Sequence, residues 1–170
     1  HFVFQPSLIR YMLPRMMLEG KNVKEGIDVY PRHRASSAVN KVVCDGEGEI
    51  ASIEVRPEGI ALFEDDHRDW RVHTNHYLTQ EFSRYDDDTL TDTTARLPRM
   101  RALIKERWGE LTLEALKAML GDHEGDPGAI CRHGKKNMHS ISGYIGEPAK
   151  RLLHVRRGHG CIGAWQAYEV

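Results

Sequence analysis

The segment His73-Thr74-Asn75-His76 ends an apolar stretch and opens a long polar loop. A strand end lets a polar side chain enter a site while the sheet fixes its position. An Asn amide placed there can donate a hydrogen bond to a developing oxyanion. Asn is also a common turn residue, so the position alone fits either role. Cysteine offers a second chemistry. Cys131-Arg132-His133 sets a thiol close to an imidazole along the chain, but on a strand neighbouring side chains point apart. Cys161 lies in Gly158-His159-Gly160-Cys161, a turn where backbone can approach a ligand. The commoner fate of both thiols is a buried, inert one.

Ten histidines invite a metal reading. His73 and His76, three apart on a predicted strand, leave on opposite faces and share an ion only if the strand ends between them. His123, Glu124 and Asp126 sit in a Gly-rich loop and offer weak cation ligands. Cys44, Cys131 and Cys161 are widely spaced and form no CxxC, so neither a zinc knuckle nor a disulfide framework is suggested. No metal site is assigned on this basis. Arg156-Arg157 beside His159, and Lys135-Lys136, fit either an anionic substrate tail or a solvated face.

These residues need elements to hold them. Leu8, Met12, Leu13, Met16 and Met17 predict a helix over residues 7–18, kinked or split at Pro14. Asn22 followed by Glu25 predicts a second helix to about Tyr30, ended by Pro31. The period then changes. Residues 39–44, the turn Asp45-Gly46-Glu47-Gly48 and residues 50–55 read as a hairpin, with further strands over 59–63 and 70–74. A polar loop spans 79–93. Helices follow over 94–108, where Pro98 fits only the first turn, and from the Thr112 cap to Leu120, where Gly121 stops it. Extended segments at 129–132, 139–145, 152–156 and 164–169 close the chain. This order predicts an α+β fold with antiparallel sheets, one domain over residues 1–170.

Composition narrows the classes. The 170 residues carry 24 Lys+Arg against 25 Asp+Glu, a net charge of −1, which gives no global reason to bind nucleic acid or an anionic membrane. No apolar run approaches the ~20 residues of a membrane span. Charge is segregated, with nine acidic and three basic residues over 61–92, including Glu64-Asp65-Asp66 and Asp86-Asp87-Asp88. These runs read as solvated loops, lacking the ligand rhythm and turn Gly of a calcium loop. Sparse cysteine and no visible leader point to a reducing, cytoplasmic setting.

Several stretches, in order along the chain, carry a resemblance. They are Arg34-Ala35-Ser36-Ser37, Ile53-Glu54, Val72-His73-Thr74-Asn75-His76, Arg96 with Arg99-Met100, Ala129-Ile130-Cys131-Arg132, and Gly158 to Cys161. Together they resemble the acyl-CoA:6-aminopenicillanic acid acyltransferase-like group of N-terminal-nucleophile (Ntn) hydrolases. The stretches span nearly the whole chain, but only about the C-terminal half of such an enzyme. The resemblance implies a four-layer αββα sandwich, of which residues 1–170 are the C-terminal portion. It implies a precursor that cleaves itself before a Cys, whose thiol attacks an amide or thioester with its own α-amino group as base. Asn75 is then the oxyanion-hole residue. The nucleophile is expected upstream of His1, and Cys44, Cys131 and Cys161 do not take its place. Lys136 and Asn137 stand where some members carry a Ser-Arg pair, so that role is not carried over. Arg96 opens a helix as a catalytic Arg does in the related bile-salt hydrolases, which makes it a second candidate; its alternative is a helix-surface Arg.

The expectation is the C-terminal part of an Ntn-type amidohydrolase or acyltransferase acting on a small-molecule acyl amide or thioester. Acyl-CoA is a candidate substrate, and no bound cofactor is expected. The expected partner is an upstream segment or chain of the same enzyme, with self-association where strand edges lack cover. Neither nucleic acid nor membrane is an expected partner. Alternatives are a non-catalytic remnant or ligand-binding module, and part of a bile-salt or penicillin-V type amidase. On this reading the isolated chain has no turnover and is incomplete as a folding unit.

Overall fold

Three consecutive runs rich in Val and Ile form the first sheet: β1 (Val39–Cys44), β2 (Ile50–Arg56) and β3 (Gly59–Phe63), antiparallel in that order. The structure, a computed structural model, describes residues 8, 11–65, 67–86, 91–134 and 138–170. Asp45 shapes the first turn, its Oδ1 accepting from the backbone N–H of Glu47 and Glu49 at 3.1 and 3.0 Å. The register that follows sets Cys44 opposite Ile50 and Val39 opposite Val55. β2 is central, and its four residues Ser52, Ile53, Glu54 and Val55 are all buried. Ile53 and Val55 share a core with Leu13, Met17, Tyr30 and Ala35. Ser52 and Glu54 leave from the opposite face, because side chains alternate along a strand. That alternation buries a carboxylate.

The core helices are short. α1 (Met12–Met17) carries Pro14 in its first turn, where an absent N–H removes no helical bond, so Pro14 starts the helix instead of kinking it. Of the rest of the predicted 7–18 helix, Leu18 is the C-cap, Leu8 instead bridges Ala35, and residues 7, 9 and 10 fall outside the described residues. Asn22 caps α2 (Val23–Ile27), its side chain accepting from Glu25 N–H at 2.9 Å while Glu25 accepts from Lys21 N–H at 3.1 Å. This is a capping-box-like start in which the carboxylate reaches the N–H one residue before the cap, not that of Asn22 itself. Pro31 lies inside α3 (Val29–Arg32), again in the first turn, and does not end the preceding helix as the sequence reading expects.

The chain divides into two compact units, His1–Asp86 and Asp87–Val170. In the second, α4 (Thr91–Glu106) starts three residues earlier than expected and runs through Pro98. An interior Pro costs about 3 kcal/mol in a helix. Tertiary contacts hold the turn that precedes it: Thr93 and Leu97 are buried, and Asp92 accepts from Arg132 at 2.5 Å. Thr112 caps α5 (Leu113–Leu120), its hydroxyl accepting from Ala115 N–H at 3.1 Å. The second sheet is β4 (Ser142–Glu147), β5 (Leu152–Arg157) and β6 (Trp165–Glu169), antiparallel in that order.

Helices with antiparallel sheets in each unit make the fold α+β, as the element order predicts. Two expected strands are absent among the described residues. Residues 70–74 show the alternation of a strand, with Trp70, Val72 and Thr74 buried, yet join no ladder. Residues 129–132 are irregular. No helix among the described residues is long and apolar enough to cross a membrane.

Candidate functional site

Glu54 is the organising charge of the first unit. Its side chain is fully buried, and it accepts from His73 Nε2 at 2.7 Å, Leu78 N–H at 2.5 Å, Thr79 N–H at 3.2 Å and Thr79 Oγ1 at 2.5 Å. Burial alone would push this carboxyl up, but the hydrogen bonds from Thr79, Leu78 and His73 outweigh it and hold the group below its ordinary value. His73 Nδ1 faces the Thr74 carbonyl at 2.7 Å. Both ring nitrogens therefore lie within hydrogen-bond distance of an oxygen, which fixes the plane of the ring.

The loop from His73 to Thr79 is pinned at several further points. Asn40 donates its side-chain N–H to the Thr74 carbonyl, and Thr74 Oγ1 meets His76 Nδ1 at 3.1 Å. Tyr77 N–H donates to both carboxylate oxygens of Asp86, at 2.9 and 3.1 Å. Asp86 is thus a loop anchor and not the freely solvated charge that the acidic run suggests; Asp66, Asp87 and Asp88 lie outside the described residues. Arg56 donates to Tyr77 Oη at 3.1 Å and lies 3.6 Å from the Tyr85 ring centroid. Within this clamped segment Asn75 is exposed. His73 and His76 are engaged with Glu54 and Thr74 respectively and do not converge on an ion. A cleft lined by Tyr30, His33, Arg34, Val55 and Pro57 includes neither Glu54 nor Asn75.

Arg96 belongs to the second unit. It is no surface residue: its side chain is 15% exposed and lies 3.5 Å from Asp92, which also pairs with Arg132. Burial, and then the neighbouring Arg132, pull its guanidinium below the ordinary value. Arg156 is buried against Trp165, its guanidinium 5.3 Å from the ring, so Arg156-Arg157 is not an open anion-binding pair. Lys135, Lys136 and Asn137 lie outside the described residues.

Residues 4–159 match the family model described as acyl-coenzyme A:6-aminopenicillanic acid acyl-transferase. The chain belongs to this acyl-transferase family. The resemblance drawn from the motifs is borne out over most of the chain. A search of curated proteins finds no match. Family membership suggests an acyltransferase or Ntn-hydrolase-like function. Glu54, His73, Asn75 and Arg96 all fall inside the matched span of this acyl-transferase family.

A second constellation went unread in the sequence. Cys131 Sγ lies 3.6 Å from His133 Nε2; the stretch is irregular and not the expected strand, and two side chains two residues apart leave an extended chain on the same side in any case. Cys161 Sγ lies 3.2 Å from the same nitrogen and 3.8 Å from Cys131 Sγ, and His123 Nε2 is 3.0 Å from His133 Nε2. His159 stacks on His133 with ring centroids 4.0 Å apart. Burial first, and then the charge of His159 and His123, hold His133 below its usual value. Burial and the adjacent Cys131 push the Cys161 thiol up, the opposite of an activated nucleophile. Cys44 is exposed in the other unit.

The sequence does hold a signal for Glu54. A charged residue between Ile53 and Val55 on a central strand must find partners if it is buried. The metal-type cluster offers no such signal in its spacing.

Proposed function

We propose that this chain is the C-terminal part of an Ntn-type amidohydrolase or acyltransferase acting on acyl amides or thioesters, with Asn75 donating to the oxyanion. The Glu54 clamp on residues 73–79 carries this reading. A buried, fully hydrogen-bonded carboxylate fixes the backbone on either side of an exposed amide, the kind of support that oxyanion stabilisation needs. Family membership supplies the reaction class.

The attacking thiol belongs to the upstream segment of the enzyme, with its own α-amino group as base. Attack on the acyl carbonyl carbon moves the C=O electron pair onto oxygen, where the Asn75 side-chain N–H stabilises the charge. Collapse expels the amine or thiol with a proton and leaves an acyl-thioester; water or an acceptor amine then attacks its carbonyl, takes the acyl group and releases the enzyme thiol with the proton it gives up. Acyl-CoA is a candidate donor, and the fold is the four-layer αββα sandwich to which this chain contributes. Exposed Ile141, Tyr144 and Ile162 support pairing with further polypeptide. The setting is the cytoplasm.

The test is Asn75→Ala in the chain co-produced with its nucleophile-bearing segment. Turnover of acyl amides and thioesters should fall by on the order of 10²–10³ in kcat with the melting transition unchanged. Normal activity per folded molecule would leave Asn75 as a turn residue and remove the support for this reading.

A further inference from the structure

The second unit gathers four ligand atoms on three separate stretches of chain. His123 Nε2, Cys131 Sγ, His133 Nε2 and Cys161 Sγ all lie within 4.8 Å of one another. A tetrahedral zinc ion, with Zn–S near 2.3 Å and Zn–N near 2.0–2.1 Å, sets edges of roughly 3.8 Å between sulfurs, ~3.6 Å between sulfur and nitrogen and ~3.3 Å between nitrogens. Four of the six observed edges are 3.8 Å between the sulfurs, 3.6 and 3.2 Å from them to His133, and 3.0 Å between the imidazoles; the two from His123 to the sulfurs lie within 4.8 Å. We propose that these four residues form a tetrahedral Cys2His2 zinc site.

Hydrogen bonding alone does not account for the cluster. His133 Nε2 faces three atoms at once, and one ring nitrogen offers one hydrogen-bonding position. A cation at the centre satisfies all four atoms together. The donor set chooses the ion. Two thiolates and two imidazoles suit zinc and disfavour magnesium or calcium, which take oxygen ligands. Each thiol releases its proton on ligation, and the two thiolates balance the charge of the ion.

The surroundings are built to hold this arrangement. Arg99 grips Asp122 through two bonds of 3.0 and 2.6 Å and Glu124 through a third at 2.8 Å, clamping the backbone on both sides of His123. Cys131 N–H donates to the Asp122 carbonyl at 2.9 Å. A Cβ on Gly160 would stand 1.9 Å from the Leu120 carbonyl oxygen, so only Gly lets the turn before Cys161 pass the end of α5. Gly163 N–H closes that turn on the His159 carbonyl at 2.9 Å. Cys131 is buried while His123, His133 and Cys161 are exposed, which leaves an entry path. The ion would cross-link the end of α5, the 131–133 stretch and the 159–163 turn.

The chain, co-produced with its nucleophile-bearing segment as in the Asn75 test and stripped of metal by chelation in reducing buffer, is titrated with zinc against a chromophoric chelator and with cobalt by absorption. One equivalent of zinc per chain is expected, with the intense visible bands of tetrahedral cobalt and a thiolate charge-transfer band. Cys161→Ser and His123→Ala, both at exposed positions, should each abolish stoichiometric uptake, with circular dichroism reporting that the chain is folded. Cys44→Ser should retain it. No uptake by the wild-type chain would overturn the proposal, as would uptake that survives both ligand substitutions. A Cys131–Cys161 disulfide that persists in the reducing buffer would also overturn it.

Discussion

The two units solve opposite electrostatic problems. In the first, a buried anion, Glu54, is surrounded by donors: an imidazole, a hydroxyl and two backbone N–H groups. In the second, one imidazole nitrogen and two sulfurs are pressed around a second ring nitrogen, that of His133. The first set completes itself within the protein, and its product is a rigid backbone beside an exposed amide. The second set is completed by an ion, and its product is a cross-link among segments distant in sequence. A satisfied polar network positions its neighbours, whereas a cluster of ligating atoms calls for something to bind.

The sharpest way to break this comparison is Glu54→Gln. It removes the charge and turns a donor toward the Leu78 and Thr79 N–H groups, leaving buried donors unsatisfied. A loss of about 3 kcal/mol is expected by denaturant titration. The same substitution tests the acid response. Because folding holds the Glu54 carboxyl below its ordinary value of 4.5, its contribution to stability is fully present above that value. It is lost as pH falls through the lower folded-state value. Wild-type melting should therefore decline from about pH 5 to about pH 3 more steeply than that of Glu54→Gln. Parallel profiles would show that Glu54 is not the titrating anchor.

Thr79→Val is a smaller perturbation of the same node. It deletes the 2.5 Å bond from the Thr79 hydroxyl to Glu54 and keeps the shape, so a loss of about 1.5–2 kcal/mol is expected. A neutral result would mean that the backbone donors alone hold the carboxylate. Arg99→Ala perturbs the other side of the comparison. The clamp around His123 is lost, and zinc affinity should weaken about tenfold by chelator competition. Unchanged affinity would separate the Arg99 ion pairs from the site.

Local signals read well where the physics is local. The Asn22 cap, the Thr112 cap, the Asp45 turn and the β1–β2 hairpin stand as the residues predict, because each depends on groups only a few positions apart. The misreadings share a cause. Residues 70–74 keep the period of a strand, yet one of their carbonyls, that of Thr74, goes to the Asn40 side chain. Pro98 sits inside α4 because buried Thr93 and the Asp92–Arg132 pair hold the preceding turn. Arg96 looks like a surface residue on helical spacing alone, but Asp92 and Arg132 enclose it.

The sequence by itself determined the α+β class, the hairpin, most helix caps and the family, since propensity, periodicity and motif order are written along the chain. It also singled out the His73–His76 segment as one from which a polar side chain could enter a site. Only the tertiary structure decided what holds that segment, because the Glu54 partners come from the far side of a loop. The same holds for His123, Cys131, His133 and Cys161, whose spacing matches no local metal motif. Their meeting depends on how α5 ends, how the 129–133 stretch returns and how a glycine lets the last turn pass. Contacts among distant residues follow from packing, and packing is a property of the folded chain.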